Sequence, residues 1–473
     1  MKQLYLAHKL KGVAAPVSVF VLLSVVILPL DFTGDRTDGI FHYLIAKTAL
    51  KYPSYFFDLW GKPIFTLTAM PFAQFGFRGM HFMNVLIATA TAWLVFLTAQ
   101  RLKFRHAWLA YFLVLLTPVY FQQLYTMMTE PLFALWLAWI IFLFVDEKPA
   151  SAAVFASLSP LVRQEGYFLI VLMLFIYLWK GYYRFLPHLL LGLLLFSFLG
   201  FLFQGDFFIL INRNPYNGED LYGHGSFAHF FERAEIMFGV VLEVLFLVGC
   251  VLLMLEGMRL RKQLEAPIKT KHSYHSRLLL VAGFSVGFFM AHVVMWWKGI
   301  FSSYGLERVM ACIVPAMAIV ALNVIDCAGK FLENKKRKTV SIVAAVLIAL
   351  TSMGVFFSRA FFPPRKQLTL HELVLTEAAD WVKSNQISFK KVYFSHPFNI
   401  LLYNLNPKER KDSDELMYVG QVQNMDSGAL IVWDSAFGPT NRFEREQLSA
   451  DRTVLVLKSM RTENYEVLIC KKK

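Results

Sequence analysis

The chain has 473 residues, of which 57% are hydrophobic, 16% are aromatic and only 17% are charged. Its mean hydropathy of +0.49 excludes an ordinary water-soluble enzyme of this length and is typical of a polytopic membrane protein. The formal net charge of +14 does not indicate a nucleic-acid partner, because the basic residues are concentrated in short loops between apolar runs.

Eleven apolar stretches are candidates for membrane-spanning helices, since about 20 residues cross the hydrocarbon core of a bilayer. The first is predicted to be a retained helix, because it lacks the small-residue cleavage site of a signal peptide. The two short stretches around Arg163 form either two tilted half-length helices or one broken hairpin. The stretches are 12–30, 81–100, 106–124, 130–145, 150–162, 166–180, 185–205, 235–256, 277–297, 308–327 and 339–357.

The distribution of Lys and Arg predicts the orientation of these spans, because basic residues accumulate in cytoplasmic loops. With the N-terminus in the cytoplasm, alternation puts the strongly basic loops inside, among them the run 330–338. The predicted outer loops are 31–80, 125–130, 163–166, 206–233 and 298–308, together with everything after residue 359.

After about residue 360 the composition becomes that of a water-soluble domain. An amphipathic helix is predicted over 372–383, followed by strands over 392–394, 429–433, 454–457 and 465–469. Pro363 and Pro364 mark the boundary with the last span. The sequence therefore predicts a polytopic α-helical membrane domain over 1–358 and a small non-cytoplasmic α/β domain over 359–473.

The first outer loop contains the residues that most strongly indicate chemistry. Asp35, Asp38, His42 and Tyr43 follow the first span, and a Trp-Gly-Lys-Pro corner that contains Lys62 ends the loop. A spacing of four puts Asp38 and His42 on one face of a helix, which makes a carboxylate oriented by a neighbour a candidate general base. The simpler alternative is that Asp35 or Asp38 caps the helix that follows.

Seven charged residues fall at the outer ends of the predicted spans, where a charge without a partner is costly. Separate solvated loop ends would carry scattered Lys and Asp, whereas these are carboxylates and arginines next to Pro, Gly and aromatic residues. We therefore expect them to share one polar cavity that opens outward. The seven are Asp35, Asp38, Glu130, Arg163, Glu165, Glu307 and Arg308.

Simpler explanations apply to some of these residues. Glu130 suits the positive end of a helix that begins with Pro131, and Glu307 with Arg308 equally suits an interface anchor. Arg163 and Glu165 are harder to explain this way, because they interrupt two apolar runs and need a partner or a ligand. Arginine is well suited to bind a lipid-borne phosphate.

The histidines give no metal-ligand spacing. His224 and His229 lie with Asp206 and Arg213 in a turn-rich outer loop, for which an ordinary solvated loop is favoured over a substrate gate. No metal site is predicted from these histidines, His42 and Asp38.

The order of these parts resembles the GT-C superfamily of polyprenyl-phosphate-sugar-dependent glycosyltransferases. The closer resemblance is to bacterial members related to protein O-mannosyltransferases and lipid A aminoarabinose transferases, and it covers about residues 12–357. The acidic pair of the family's first loop corresponds to Asp35 and Asp38, which are separated by two residues instead of adjacent. The matching stretches are GDRTDGIFHY, WGKPIF, TMMTEPLFALW, SPLVRQEGYF and SYGLERVMACIVP.

The resemblance implies an inverting hexosyl- or pentosyltransferase of the bacterial inner membrane that uses a polyprenyl-phosphate sugar. The acceptor on the outer face would be a protein, a lipid or a glycan. Membrane lipids are expected partners and nucleic acid is not; no cofactor is certain, and a divalent metal ion stays open. The implied roles are Asp38, with Asp35 in reserve, as base; Arg163, Arg308 and Lys62 as phosphate ligands; and His42, Tyr43, Glu130, Glu165 and Glu307 as supporting residues.

Two other functional classes fit part of the sequence. A transporter or lipid flippase would also have many helices and broken segments, but such proteins usually show internal repeats, which are not detected here. A membrane scaffold would leave the acids and arginines unexplained. The C-terminal domain would recognise an acceptor or only brace the outer loops.

Overall fold

The computed structural model describes residues 2–30, 33–34, 38–215, 223–262, 274–301, 303–334, 338–359, 370–405, 413–415, 421–440 and 443–473. Asp35 and the Pro363-Pro364 boundary lie outside these residues. The chain divides into two compact units. The first contains Met1–Leu28 and Thr48–Phe362, and the second contains Pro29–Lys47 and Pro363–Lys473.

The secondary structure described in the first unit consists of helices, and most of them are strongly apolar. The helices up to residue 359 are α1 (Lys2–Ile27), α2 (Asp38–Thr48, which lies almost entirely in the second unit), α3 (Pro63–Ala73), α4 (Gly76–Arg101), α5 (Leu109–Leu115), α6 (Pro118–Gln122), α7 (Glu130–Val145), α8 (Pro149–Leu158), α9 (Gly166–Lys180), α10 (Leu191–Gln204), α11 (Ile209–Asn212), α12 (His229–Glu232), α13 (Ala234–Lys262), α14 (Tyr274–Lys298), α15 (Val314–Asn334) and α16 (Lys338–Arg359). Short 3-10 helices cover Pro53–Phe57, Gln123–Tyr125, Ser159–Leu161, Tyr183–Leu189 and Glu307–Ile313.

Five helical stretches of the described chain are long and apolar enough to cross a membrane. They are Gly76–Arg101, Tyr183–Gln204, Ala234–Glu256, Val281–Lys298 and Glu307–Leu332. The predicted class of a polytopic helical membrane protein is therefore confirmed, whereas the number of eleven spans remains a prediction.

Burial separates central from peripheral helices within this unit. The most apolar part of Glu307–Leu332 is 94% buried, whereas that of Tyr183–Gln204 is only 28% buried. Large exposed apolar side chains on the second of these stretches include Leu194, Phe198 and Phe201. An apolar face of this size would be costly in water, so it is expected to contact lipid.

Proline and glycine explain where several helices begin and end. The single span predicted over 106–124 is instead two helices, because Pro118 starts α6 after an extended residue, Thr117. Gly181 and Gly205 end α9 and α10 with φ of 72° and 68°, a left-handed conformation that glycine adopts most easily.

The second unit contains a small mixed sheet, which confirms the predicted α/β class of the C-terminal region. Its helices are α17 (Leu370–Ser384), α18 (Phe398–Leu402), α19 (Phe437–Thr440) and α20 (Arg445–Ser449), and its strands are β1 (Val392–Phe394), β2 (Ser413–Glu415), β3 (Leu430–Asp434), β4 (Val454–Arg461) and β5 (Glu466–Lys472). The strand order is β2-β1-β3-β5-β4. Strand β1 pairs in parallel with β2 and β3, whereas β5 is antiparallel to β3 and β4.

The sheet of the second unit is closed on one side by an apolar cluster that includes Ile431, Leu448 and Leu468. Trp433 joins this cluster, and its indole Nε1 donates a hydrogen bond to the carbonyl of Phe443 at 2.7 Å. The indole therefore buries its apolar area without leaving its N–H group unsatisfied.

Candidate active site

The chain bends sharply between α8 and α9, and two charged residues of the site, Arg163 and Glu165, lie in this bend. Ser159 accounts for the bend, because its hydroxyl donates to the carbonyls of Ala156 and Gly166 at 2.6 and 3.2 Å. Gly166 passes so close to the preceding turn that a Cβ atom there would lie 2.2 Å from the carbonyl carbon of Ser159. Of the two forms left open by the sequence, the structure has two separate half-length helices, with Arg163 and Glu165 between them.

The start of α7 is fixed by a side chain from α4. The Asn84 amide donates to the carbonyls of Gln123 at 3.2 Å and Thr126 at 2.7 Å. These backbone groups immediately precede Thr129 and Glu130, so Asn84 holds the segment that delivers both residues. Glu130 is completely buried and is the first residue of α7, where the helix dipole favours a carboxylate.

Arg163 lies at the centre of the buried charges. Its Nη1 is 2.9 Å from Oε1 of Glu130 and donates to the hydroxyl of Thr129 at 2.6 Å. Its Nη2 and Nε donate to the Glu165 carboxylate at 2.7 and 3.2 Å. The guanidinium is thus held on several sides by acceptors of this loop and of the α7 start, a geometry that suits its planar fork.

Arg308 approaches the same carboxylate from a different element. It lies in the 3-10 helix Glu307–Ile313, which packs against α7, and its Nε is 3.4 Å from Oε1 of Glu130. Its side chain is 19% exposed, compared with 11% for Arg163. Arg163, Arg308, Glu130 and Glu165 together carry no net formal charge, because two cations face two carboxylates.

Lys62 is held near these charges by a tight corner in the chain. Asp58 Oδ1 accepts hydrogen bonds from the amides of Trp60 at 2.8 Å and Gly61 at 3.0 Å. Lys62 follows with φ of 60°, a left-handed conformation that is costly for a residue with a Cβ atom. Its ammonium donates to the carbonyl of Leu59 at 3.1 Å. Strain of this kind in a buried lysine motivates a functional hypothesis.

The surroundings of Lys62 and Glu165 shift their pKa values in ways that matter for ligand binding. Burial is the main cause that lowers the pKa of Lys62 to about 7, although the nearby Glu165 carboxylate opposes it. Burial would raise the pKa of Glu165, but the charge and hydrogen bonds of Arg163 outweigh it and lower that pKa to about 2. At neutral pH the Glu165 carboxylate is therefore ionised, whereas the Lys62 ammonium titrates.

Three contacts of this cluster come from residues that the sequence analysis did not single out. They are Asn84, Thr129 and His292, whose Nε2 lies 3.9 Å from Oε1 of Glu165. A histidine inside an apolar span is itself a signal of function. The sequence prediction did not include His292, because that prediction rested on charged residues at the ends of spans.

Glu307 lies apart from this ion-pair network. Its carboxylate pairs with the guanidinium of Arg233, and the two side chains are 32% and 50% exposed. The neighbouring His229 contacts the carbonyl of Gly305 through Nε2 at 2.8 Å. Asp206 and Arg213 form a separate pair at 3.9 Å.

The first part of the outer loop, up to Lys47, belongs to the second unit. Asp38 begins α2, and His42 and Tyr43 are buried in that helix at 4% and 3% exposure. The ammonium of Lys47 donates to the hydroxyl of Tyr43 at 3.0 Å. The structure therefore brings together Glu130, Arg163, Glu165, Arg308 and Lys62 within the first unit, and it places Asp38 in the second. Among the described residues, no group of three or more His, Cys, Asp or Glu side chains is arranged to hold a metal ion.

No protein-family model matches the chain, and no curated protein matches it by sequence. Solved structures do match it. A crystal structure of ArnT from Cupriavidus metallidurans bound to undecaprenyl phosphate has 12% identity and a TM-score of 0.61 over 98% of both chains. The apo structure of the same protein has 14% identity and a TM-score of 0.59 over 96% of this chain and 97% of that one. Over nearly its whole length the chain therefore has the fold of these ArnT structures, and the resemblance predicted from the sequence is confirmed at the level of the fold.

Proposed function

We propose that the protein is a glycosyltransferase of the bacterial inner membrane that transfers a sugar from a polyprenyl phosphate to an acceptor on the outer face. The observation that carries this proposal is the buried cluster of Arg163, Arg308, Glu130 and Glu165 with Lys62 beside it. The fold supports the proposal, since the matching ArnT structure has undecaprenyl phosphate bound. Fold alone would not suffice, because one fold hosts many functions.

The charges of the site suit a phosphate leaving group. Such a group needs little protonation as its bond to the sugar breaks, so the enzyme mainly has to stabilise negative charge in a site with little water. The formal charges of Arg163, Arg308, Glu130 and Glu165 cancel one another. The ammonium of Lys62 supplies the additional positive charge. A phosphate near Lys62 would favour its protonated form, because an opposite charge raises the pKa of a lysine.

The contacts of the three cations suggest different roles for them. Arg163 already donates to Thr129 and Glu165, so a direct phosphate contact would compete with these hydrogen bonds. We assign Arg308 and Lys62 as the first phosphate ligands. Arg163, which the sequence proposed as a ligand, would then act mainly by holding Glu130 and Glu165 in place.

Asp38 is proposed as the general base, and Asp35 stays the alternative. The base accepts the proton of the acceptor hydroxyl while the oxygen of that hydroxyl attacks the anomeric carbon of the sugar. The bond from that carbon to the phosphate oxygen breaks, and the electron pair leaves with the polyprenyl phosphate. One displacement of this kind inverts the configuration of the sugar.

A small apolar crevice, with a cavity volume of about 20 Å³, lies among α7, α9 and α14. We propose that the polyprenyl tail packs along this apolar seam between the helices. These helices also carry parts of the site: α7 begins with Glu130, α9 begins just after Glu165, and α14 contains His292. The lining residues are Leu137, Ile140, Ile141, Phe144, Leu169, Leu172, Met173, Val281 and Phe284.

The function is tested by incubating the purified protein with a panel of labelled polyprenyl-phosphate sugars and measuring consumption of the donor. Wild-type protein should release polyprenyl phosphate, and Asp38→Asn should abolish release while the variant still inserts and folds. Asp206→Asn serves as a control, because that carboxylate pairs with Arg213 in an outer loop. Normal turnover by Asp38→Asn would overturn the assignment of the base. Movement of lipid without consumption of the sugar would favour a flippase.

The proposed topology places the N-terminus in the cytoplasm and the C-terminal α/β domain outside. Labelling of single introduced cysteines with a membrane-impermeant reagent tests it on intact cells. A cysteine at exposed Lys383 should react, and one at Arg101 should not. The opposite result would reverse the proposed orientation.

A further inference from the structure

A buried hydrogen bond joins the first outer loop to the C-terminal domain within the second unit. The hydroxyl of Thr33 donates to the carboxylate of Glu372, which lies in the first turn of α17. Both side chains are 0% exposed. Residues Pro29–Lys47 accordingly belong to the same compact unit as Pro363–Lys473, although the chain crosses the whole membrane domain between them.

The Glu372 carboxylate is also close to the polar residues at one edge of the sheet. Its charge acts on Tyr465, whose ring stacks on His371 with 4.0 Å between the ring centroids. Burial and the nearby Asp434 raise the pKa of the Tyr465 phenol, and Asp434 accepts a hydrogen bond from the hydroxyl of Ser395. Glu372 thus lies between Thr33 and the polar residues near the ends of β1 and β3.

We propose that Glu372 is a positioning residue for sugar transfer. Its carboxylate fixes Thr33, and Thr33 in turn fixes the segment that carries Asp38. Four residues lie between Thr33 and Asp38, and the five steps from Cα to Cα span at most roughly 18 Å, so a fixed Thr33 restricts where α2 can begin. The C-terminal domain would then be part of the catalytic machinery. This inference rests on the proposed role of Asp38.

The energetics favour a specific role over simple bracing. A fully buried carboxylate is costly unless its acceptors are satisfied, and apolar packing would join two segments without that cost. A hydrogen bond also fixes direction and distance, which an apolar contact does not.

Paired substitutions at the two ends of the hydrogen bond test the proposal. Thr33→Val and Glu372→Leu should each lower kcat about tenfold, whereas KM for the lipid donor should change by less than about twofold. Thr33→Ser and Glu372→Gln retain a donor and an acceptor, so they should retain most of the activity. The double variant Thr33→Val with Glu372→Leu should be no slower than the slower single variant, because both remove the same contact.

A control variant separates positioning from loss of domain stability. Leu448 is fully buried in the apolar cluster of the same domain, so Leu448→Ala should lower the unfolding temperature without lowering kcat. Equal losses of kcat in Leu448→Ala and Glu372→Leu would overturn the proposal.

Hydrogen exchange measured by mass spectrometry gives a readout that needs no sugar donor. Amides of α2 should exchange at least about tenfold faster in Thr33→Val and Glu372→Leu than in the wild type, and β3 should keep its protection. If the wild type consumes no donor, sugar transfer fails as a function, but the exchange of α2 still decides whether Glu372 fixes this segment. Unchanged exchange of α2 in both variants would contradict the inference.

Discussion

Nη1 of Arg163 lies 2.9 Å from Oε1 of Glu130, and this ion pair joins the loop between α8 and α9 to the first turn of α7. Arg308 lies on the other side of the same carboxylate oxygen, at 3.4 Å. Glu130 is therefore shared between two guanidinium groups, one held by Glu165 and one more exposed to a ligand. Removal of any member leaves at least one buried charge with one partner fewer, which is costly in a buried site.

Arg163→Ala is expected to weaken donor use and to lower the free energy of unfolding by about 3–5 kcal/mol, because Glu130 and Glu165 both lose their main cation. Thermal unfolding in detergent and binding of undecaprenyl phosphate measure the two effects. Arg233→Ala is the matched control, since Arg233 pairs with Glu307 at 50% exposure and should cost about 1 kcal/mol or less. Equal stability of the two variants would show that the Arg163 ion pairs do not hold the site.

Binding of polyprenyl phosphate is expected to weaken as the pH rises through about 7, because the pKa of Lys62 is lowered to about 7 by burial. Only the protonated ammonium attracts the phosphate, so affinity is lost above that pKa. Lys62→Arg stays charged throughout and should remove this part of the pH dependence, whereas Lys62→Met should bind weakly at every pH.

Titration of undecaprenyl phosphate binding between about pH 6 and pH 9 at constant ionic strength measures the effect of Lys62. The phosphate itself titrates at about pH 6. In the Lys62→Arg variant, this titration of the phosphate is the only expected source of pH dependence. Parallel curves for wild type and Lys62→Arg would exclude Lys62 as the titrating group.

Gly166→Ala is expected to destabilise the protein and reduce activity, because the added Cβ would lie 2.2 Å from a backbone carbon of Ser159. The turn cannot yield by a side-chain rotation, so Arg163 and Glu165 would move. Gly283→Ala tests the same chemical change in a membrane-spanning helix with no atom within 4 Å of the new Cβ. It should be neutral or slightly stabilising. Unfolding temperatures that fall equally in both variants would contradict the steric explanation.

Asn84→Leu should lower the free energy of unfolding by about 1–3 kcal/mol, since it leaves buried carbonyls without their donor. Activity should fall as well, because the segment that Asn84 holds leads directly into Thr129 and Glu130. Thr98→Val is the control in the same helix, as that hydroxyl donates only to the carbonyl of Leu94 among the hydrogen bonds described for it. Full activity of Asn84→Leu would show that the start of α7 does not need this clamp.

Elements with local signals were predicted well from the sequence. Helices α7 and α9 begin and end where the sequence placed them, because Pro131 and Gly166 mark their first turns and Gly181 marks the end of α9. Strand β1 also matches its prediction, since VYF is an apolar, β-favouring run. Strand β2 was missed, because Ser-Asp-Glu has no strand pattern and its conformation depends on pairing with β1.

The partners of the charges could be predicted only in part. The sequence expected the arginines and acids to gather because charges in a membrane need partners. It could not show that Glu307 pairs with Arg233 while Glu130 lies between two arginines, since these choices depend on how distant helices pack. The part played by Asn84 depends likewise on three-dimensional packing, because one buried amide in an apolar helix does not indicate which carbonyls it will meet.

The left-handed backbone at Lys62 lowers the stability of the protein, whereas the lysine side chain is needed for the proposed activity. Glycine adopts φ of 60° with little strain, so Lys62→Gly would relieve a conformational cost of the order of 1 kcal/mol and also remove a buried amine. Selection of variants for heat resistance alone would therefore be expected to discard this lysine. Selection for sugar transfer would keep it, and the two screens should diverge first at this corner of the chain.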